Sequence, residues 1–289
     1  MEKKATREGY GIGLGNICKD ERVVALDADL SGSTKSKVVR ENCPKKFINV
    51  GIAEQDMIGM AAGLALSGKI PFASTFAVFA TDRAHDQIRV SIAYANANVR
   101  VVGSHAGLLT GEDGPTHQAI DDIAAIRSIP NMAIIHPADF TETVKATEYL
   151  LEHKGPVYFR LGRAKLPIIN DDSYKFEFGK GIELKEGKDI AIIATGPLVH
   201  EAISAAEELK KENISARVIN IHTIKPIDKD IIIKAAKETG CIVTAEDHNI
   251  LGGLGSAVAE VITGNQPVPI EFVGVKDRFA ESGKPFELY

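Results

Sequence analysis

Short apolar runs of strand length alternate with stretches of helical period along almost the whole chain, and this alternation constrains the fold more than any single motif. Runs such as Val23–Leu26 and Ile70–Ala73 have no polar face, so they must be covered on both sides, and the intervening helices are the natural cover. The expectation is an α/β chain of mainly parallel sheets flanked by helices. Phe47–Val50, Val99–Val102 and Met132–Ile135 read as further strands, with Gln55–Leu66, Ala80–Tyr94 and Asp122–Ile129 as helices between them. The pattern lapses from Leu166 to Lys188, where Asn, Asp, Ser and Gly accumulate, and this stretch reads as a linker with a short hairpin. It resumes at Ile190–Ala194, followed by Leu198, Val199, Ala202, Ile203, Ala206 and Leu209, the stripe of a helix lying on a sheet. Further units follow at Ala216–Ile221, Asp228–Thr239 and Cys241–Ala245, with Gly240 placed to stop a helix. A chain of 289 residues has room for two domains, and the expected division is 1–167, a linker at 168–188, and 189–289.

Composition narrows the class of function. Lys and Arg total 34 against 39 Asp and Glu, so the net charge of −5 offers no basic face for a nucleic-acid backbone. Three cysteines, Cys18, Cys43 and Cys241, are widely spaced and include no C-x-x-C pair, which points to buried apolar thiols in a reducing cytoplasm rather than a disulfide framework or a zinc site. The polar start MEKKATREGYG lacks a signal peptide's apolar stretch, and the run Met57–Leu66 is too short to span a bilayer. A cytoplasmic protein without membrane association is expected.

Two glycine clusters invite a nucleotide reading. Gly11, Gly13 and Gly15 follow no strand and suit a close-packed helix instead. Gly252, Gly253 and Gly255 open a helix after a strand, where they permit a tight turn or leave amides free for an anion. Glu54 is more informative, because it stands where a buried-looking strand turns into a strongly apolar helix. There it either complements the helix dipole or shares a proton with a ligand nitrogen. Phe76 and Phe79, three apart at a helix start, form either core or a stacking wall for a flat heterocycle. In GSHAGLLTGEDGPTHQAIDD, His105 and His117 bracket Glu112 and Asp113 on an irregular loop rich in titratable groups, the kind that lines sites, and without metal-ligand spacing.

The strings GIAEQ, STFAVF and GEDGPTHQ, in this order and spacing, resemble the C-terminal half of transketolase, a thiamine-diphosphate enzyme. The resemblance is strong from Thr6 to Pro167 and looser beyond. It implies a pyrimidine-binding domain followed by the transketolase C-terminal domain. It also implies that Glu54 bonds the aminopyrimidine ring nitrogen of the cofactor and sets its tautomer, so that the neighbouring imino nitrogen can deprotonate the thiazolium. Phe76 and Phe79 match aromatics that pack on the pyrimidine, and Asp82 stands where many relatives carry a third aromatic. Asp29 matches a residue near the cofactor. Arg7, Ser33 and Arg163 match the site of the substrate phosphate, with His105 at its end of the channel. Asp113 matches a reader of hydroxyl stereochemistry, and His117 a residue near the donor carbonyl. The other histidines have no such match.

The family holds the cofactor diphosphate through magnesium or calcium, using a GDG motif and a later Asn on a separate domain, and this chain has neither. The resemblance therefore implies the C-terminal subunit of a split transketolase, active only with an N-terminal subunit, in a heterotetramer built on a homodimer core. Its reaction would transfer a two-carbon ketol unit from a ketose phosphate to an aldose phosphate. The alternatives are a 1-deoxyxylulose-5-phosphate synthase-like fragment, the beta subunit of a 2-oxo acid dehydrogenase, and a non-catalytic regulatory subunit. The filled cofactor and sugar positions count against the last.

Overall fold

The computed structural model describes residues 2–289. Seven strands form one sheet, in the order Thr223–Lys225, Ala133–Ile135, Val157–Arg160, Arg100–Ser104, Ile70–Phe76, Val23–Asp27 and Phe47–Asn49. Every neighbouring pair is parallel except the first, where Thr223–Lys225 runs antiparallel to Ala133–Ile135. Successive side chains point to opposite faces. Val24 and Leu26 therefore pack in one layer with Met57, Ile58 and Ile123, while Val23 and Ala25 meet Tyr10 and Leu14 in the other. The helix Thr6–Ile17 lies close against Phe140–Tyr149, because a Cβ at Gly9 would stand 2.6 Å from the Phe140 carbonyl oxygen and one at Gly13 2.6 Å from the Thr147 Cβ. The first glycine cluster is thus a packing surface.

The second sheet has five strands, ordered Ile270–Val275, Ile242–Asn249, Ile190–Ala194, Ala216–Asn220 and Ile182–Lys185, the last antiparallel. Leu198–Lys211 covers one face, and Lys229–Thr239 with Leu254–Asn265 covers the other. The α/β reading holds for both sheets.

Three local expectations change. Residues 166–188 contain no hairpin: Lys165–Pro167 pairs antiparallel with Lys3–Ala5, and Ile182–Lys185 joins the edge of the second sheet. Strands of three or four residues among turn formers are too short to show a period. Ala80–Tyr94 is not one α-helix, since π turns span Phe79–Arg83 and Ile88–Tyr94 on either side of Ala84. Cys18 is fully buried, whereas Cys43 and Cys241 are half-buried, and the free Cys18 and Cys43 sulfurs lie 2.9 Å apart. Sequence spacing hid this proximity because the two thiols terminate different helices. The helix Phe140–Tyr149 also escaped the sequence reading, because it buries Thr141, Glu142, Thr143 and Thr147 rather than an apolar stripe.

A polar bridge joins the two sheets. Arg160 and Asp122 are both fully buried, with Arg160 Nε 2.7 Å from Asp122 Oδ2. Tyr158 donates to the same oxygen at 2.6 Å, and Arg160 Nη2 donates to the Asp247 carbonyl of the second sheet at 2.9 Å. Among the described residues, no helix is long and apolar enough to cross a membrane.

Candidate active site

Glu54 opens the helix Glu54–Leu66 and is only 1% exposed. A carboxylate so placed needs a partner. It accepts from Arg83 Nη1 at 2.7 Å, and the same guanidinium lies 4.4 Å from the centre of the Phe79 ring. Phe79 stacks with Phe76 at 5.9 Å and 17°, Phe76 stacks on His105 at 3.9 Å and 28°, and His117 stands edge-on to Phe76 and Phe79 at 6.1 and 5.4 Å. Phe76 is the last residue of its strand rather than part of the helix, yet the two rings do face the same way. Arg83 is the residue that sequence reasoning missed. Its signal was the spacing Phe79 to Arg83, one helical turn, which puts a cation on the aromatic face.

The other end of this row is cationic. Arg7 Nη1 donates to the Ser33 carbonyl at 3.1 Å and to His105 Nε2 at 3.2 Å. A guanidinium can only donate, so Nε2 is the unprotonated nitrogen, and Nδ1 carries the proton that it shares with Ser104 Oγ at 2.9 Å. His105 is held neutral: burial first, then the charges of Arg7 and Arg163, push its pKa down to about 3. Burial and the charge of Arg163 also lower Arg7, whose buried Nε has no hydrogen-bond partner. Arg163 Nη1 donates to the Thr110 carbonyl at 2.6 Å and lies 3.4 Å from Asp113 and 3.6 Å from Glu112. Two guanidiniums converging beside a neutral imidazole suit a dianionic group.

Glu54, Phe76, Phe79, His105, His117, Arg7 and Ser33 thus form one continuous row, and Arg163 brings Asp113 to its cationic end. Asp29 lies at the exposed rim, with a left-handed backbone (φ 65°) and its carboxylate accepting from Asn49 Nδ2 at 3.0 Å. Asp82 is exposed, and its carboxyl is raised by partial burial and by Asp121. The amides after the second glycine cluster are taken by the protein's own anion, since Glu246 accepts from Leu254 and Gly255 at 2.6 and 2.8 Å. No group of three His, Cys, Asp or Glu side chains among the described residues converges as a metal site would require.

A buried carboxylate acceptor beside two near-parallel aromatic rings is the kind of lining that an aminopyrimidine needs, with one polar edge to bond and one face to stack. The sequence matches the model of the transketolase pyrimidine binding domain over residues 2–168 and that of the transketolase C-terminal domain over 179–289. It is 49% identical, over 99% of its own length and 90% of the relative's, to a protein of Methanocaldococcus jannaschii provisionally named a transketolase C-terminal section. Human transketolase is 40% identical over 99% of this chain, which spans only 46% of that enzyme. The structure of a split gene transketolase, in an inactive beta4 tetramer, superposes with a TM-score of 0.89 at 47% identity, covering 96% of this chain and 91% of the other. With both family models matched along nearly its full length, the chain belongs to the transketolase family and corresponds to the C-terminal section of such an enzyme.

Proposed function

We propose that this chain is the C-terminal subunit of a split transketolase and moves a two-carbon ketol unit from a ketose phosphate to an aldose phosphate, together with an N-terminal subunit. The observation that carries the reading is the unbroken row from buried Glu54, through the Phe79 and Phe76 rings and His105, to Arg7. Thiamine diphosphate, when bound, supplies a nucleophilic carbon able to hold the ketol unit between donor and acceptor. Glu54 bonds the pyrimidine nitrogen and fixes its protonation, while Phe76 and Phe79 orient the ring and exclude water. Arg7, Ser33 and Arg163 hold the substrate's terminal phosphate, each charged hydrogen bond contributing about 1.5–3 kcal/mol. Neutral His105 supports Arg7 as an acceptor, and Asp113 and His117 read the sugar between the two ends. The diphosphate and its magnesium or calcium belong to the partner, in a heterotetramer with a homodimeric core of this chain.

The test is reconstitution. This chain alone is expected to be inactive, and adding the N-terminal subunit, thiamine diphosphate and magnesium restores transfer from xylulose 5-phosphate but not turnover of pyruvate. Glu54→Gln in that complex lowers kcat by on the order of 10². Full activity of the isolated chain, or an unimpaired Glu54→Gln complex, overturns the assignment. Relatives named for 6-deoxy-6-sulfo-D-fructose and for apulose 4-phosphate make these two ketoses useful donor arms of the same assay.

A further inference from the structure

The loop between the strand Arg100–Ser104 and the helix Asp122–Arg127 carries His105, Asp113 and His117 on a largely irregular backbone. Its only regular pieces are 3-10 turns over Leu108–Asp113, broken at Gly111, and Gly107, Gly111 and Gly114 all sit at φ of 75–76°. Such a backbone depends on contacts from outside as well as on its own turns. Some of those contacts come from the first domain, as at Arg163, and a second set comes from the far end of the chain. Asp247 Oδ1 accepts from the Leu108 amide at 2.8 Å, and the same carboxylate sits against Gly107, where an added Cβ would come within 2.0 Å of Oδ2. Gln118 Nε2 donates to the Glu281 carbonyl at 3.1 Å. Gly111 lies directly beneath Pro285 and Gly114 against Ser282, where added Cβ atoms would come within 2.8 and 2.2 Å of their side chains. A cavity of about 880 Å³ lies beside these contacts, lined by Leu108 and Asp247, by Glu281, Leu288 and Tyr289 of the tail, and by Val273 of the second sheet's edge.

We propose that residues 281–289 and Asp247 act as a positioning strap, through which the C-terminal domain holds the sugar-reading loop in register with the cofactor end of the site. The strap touches neither Glu54 nor the two phenylalanines. Its effect is therefore confined to the sugar. The proposal rests on the catalytic reading above and adds a task for the C-terminal domain. Asp247 pins the start of the loop at Leu108, and Glu281, Ser282 and Pro285 pin its far side at Gln118, Gly114 and Gly111, so displacing the tail leaves the loop held at one end only.

Two measurements test it. In the reconstituted complex, removing residues 281–289 raises KM for ketose phosphate about tenfold or more, as expected for a misplacement on the ångström scale. The affinity for thiamine diphosphate stays within twofold. In the full chain without its partner, amide deuterium exchange over 107–118 rises on truncation while that over 54–66 does not. An unchanged KM with unchanged exchange overturns the strap, and so does exchange that rises everywhere, which would make the tail a general staple. If the complete complex shows no ketol transfer, the catalytic reading fails, while the exchange experiment still decides whether the tail orders the loop.

Discussion

Replacing Asp122 by Asn keeps the shape of the side chain and removes its charge at the most buried ionic contact in the molecule. Asp122 and Arg160 are both 0% exposed, and the carboxylate accepts three bonds, from Tyr158 at 2.6 Å and from Arg160 Nε and Nη2 at 2.7 and 3.1 Å. The substitution turns one acceptor into an amide donor and leaves a guanidinium without a counter-charge. Breaking such a pair costs about 3–5 kcal/mol. For a chain of this length the entropy of unfolding near 60 °C is about 0.6 kcal/mol per kelvin, so the melting temperature is expected to fall by about 5–8 °C. Circular dichroism or calorimetry at fixed protein concentration reads this directly, the fixed concentration guarding against shifts in association. The wild-type contribution also has a pH signature. Burial alone would raise the Asp122 pKa, but the charge and hydrogen bonds of Arg160 outweigh it and lower the pKa overall. The contribution is therefore complete above the ordinary carboxylate range and is lost as pH falls through the lowered value. Replacing both partners by apolar residues of similar volume is expected to recover much of the loss. A shift below about 1 °C in Asp122→Asn would refute the claim that this buried pair stabilises the fold.

Further predictions concern the anion end of the site. Arg7→Met is expected to raise KM for phosphorylated ketoses by about 10- to 100-fold, the equivalent of one or two charged hydrogen bonds, and to leave an unphosphorylated ketose unaffected; equal effects on both would remove Arg7 from phosphate binding. His105 is expected to show no imidazole titration by NMR between pH 5 and 8, given a pKa held at about 3. Because the unfolded chain takes up that proton near pH 6.5, His105 also makes stability decline as pH drops below that value, and a His105→Gln variant flattens this part of the profile.

Much of this architecture was legible in the sequence because burial on both faces leaves runs such as Val23–Leu26 and Ile70–Ala73, within the strands Val23–Asp27 and Ile70–Phe76, without polar positions. Glu54 was legible for the opposite reason, as a charge where the pattern demanded none. What stayed hidden was long-range. The Cys18–Cys43 contact, the pairing of Arg83 with Glu54 and the meeting of Asp247 with Leu108 each join residues whose proximity only the folded backbone creates. Local periodicity also fails where threonine does the work of valine, as in Phe140–Tyr149, or where a strand such as Val157–Arg160 ends in a buried guanidinium instead of an apolar residue.

The antiparallel strand Thr223–Lys225 completes the first sheet although it is encoded well inside the second half. A fragment cut between the two halves would bare the edge at Ala133–Ile135, exposing unpaired amides and carbonyls beside apolar side chains, a template for aggregation. Expression of either half alone is therefore a poor route to a soluble module. Recombination with relatives should exchange this polypeptide whole, because the seam that matters for modularity runs through hydrogen-bonded backbone and not through the linker.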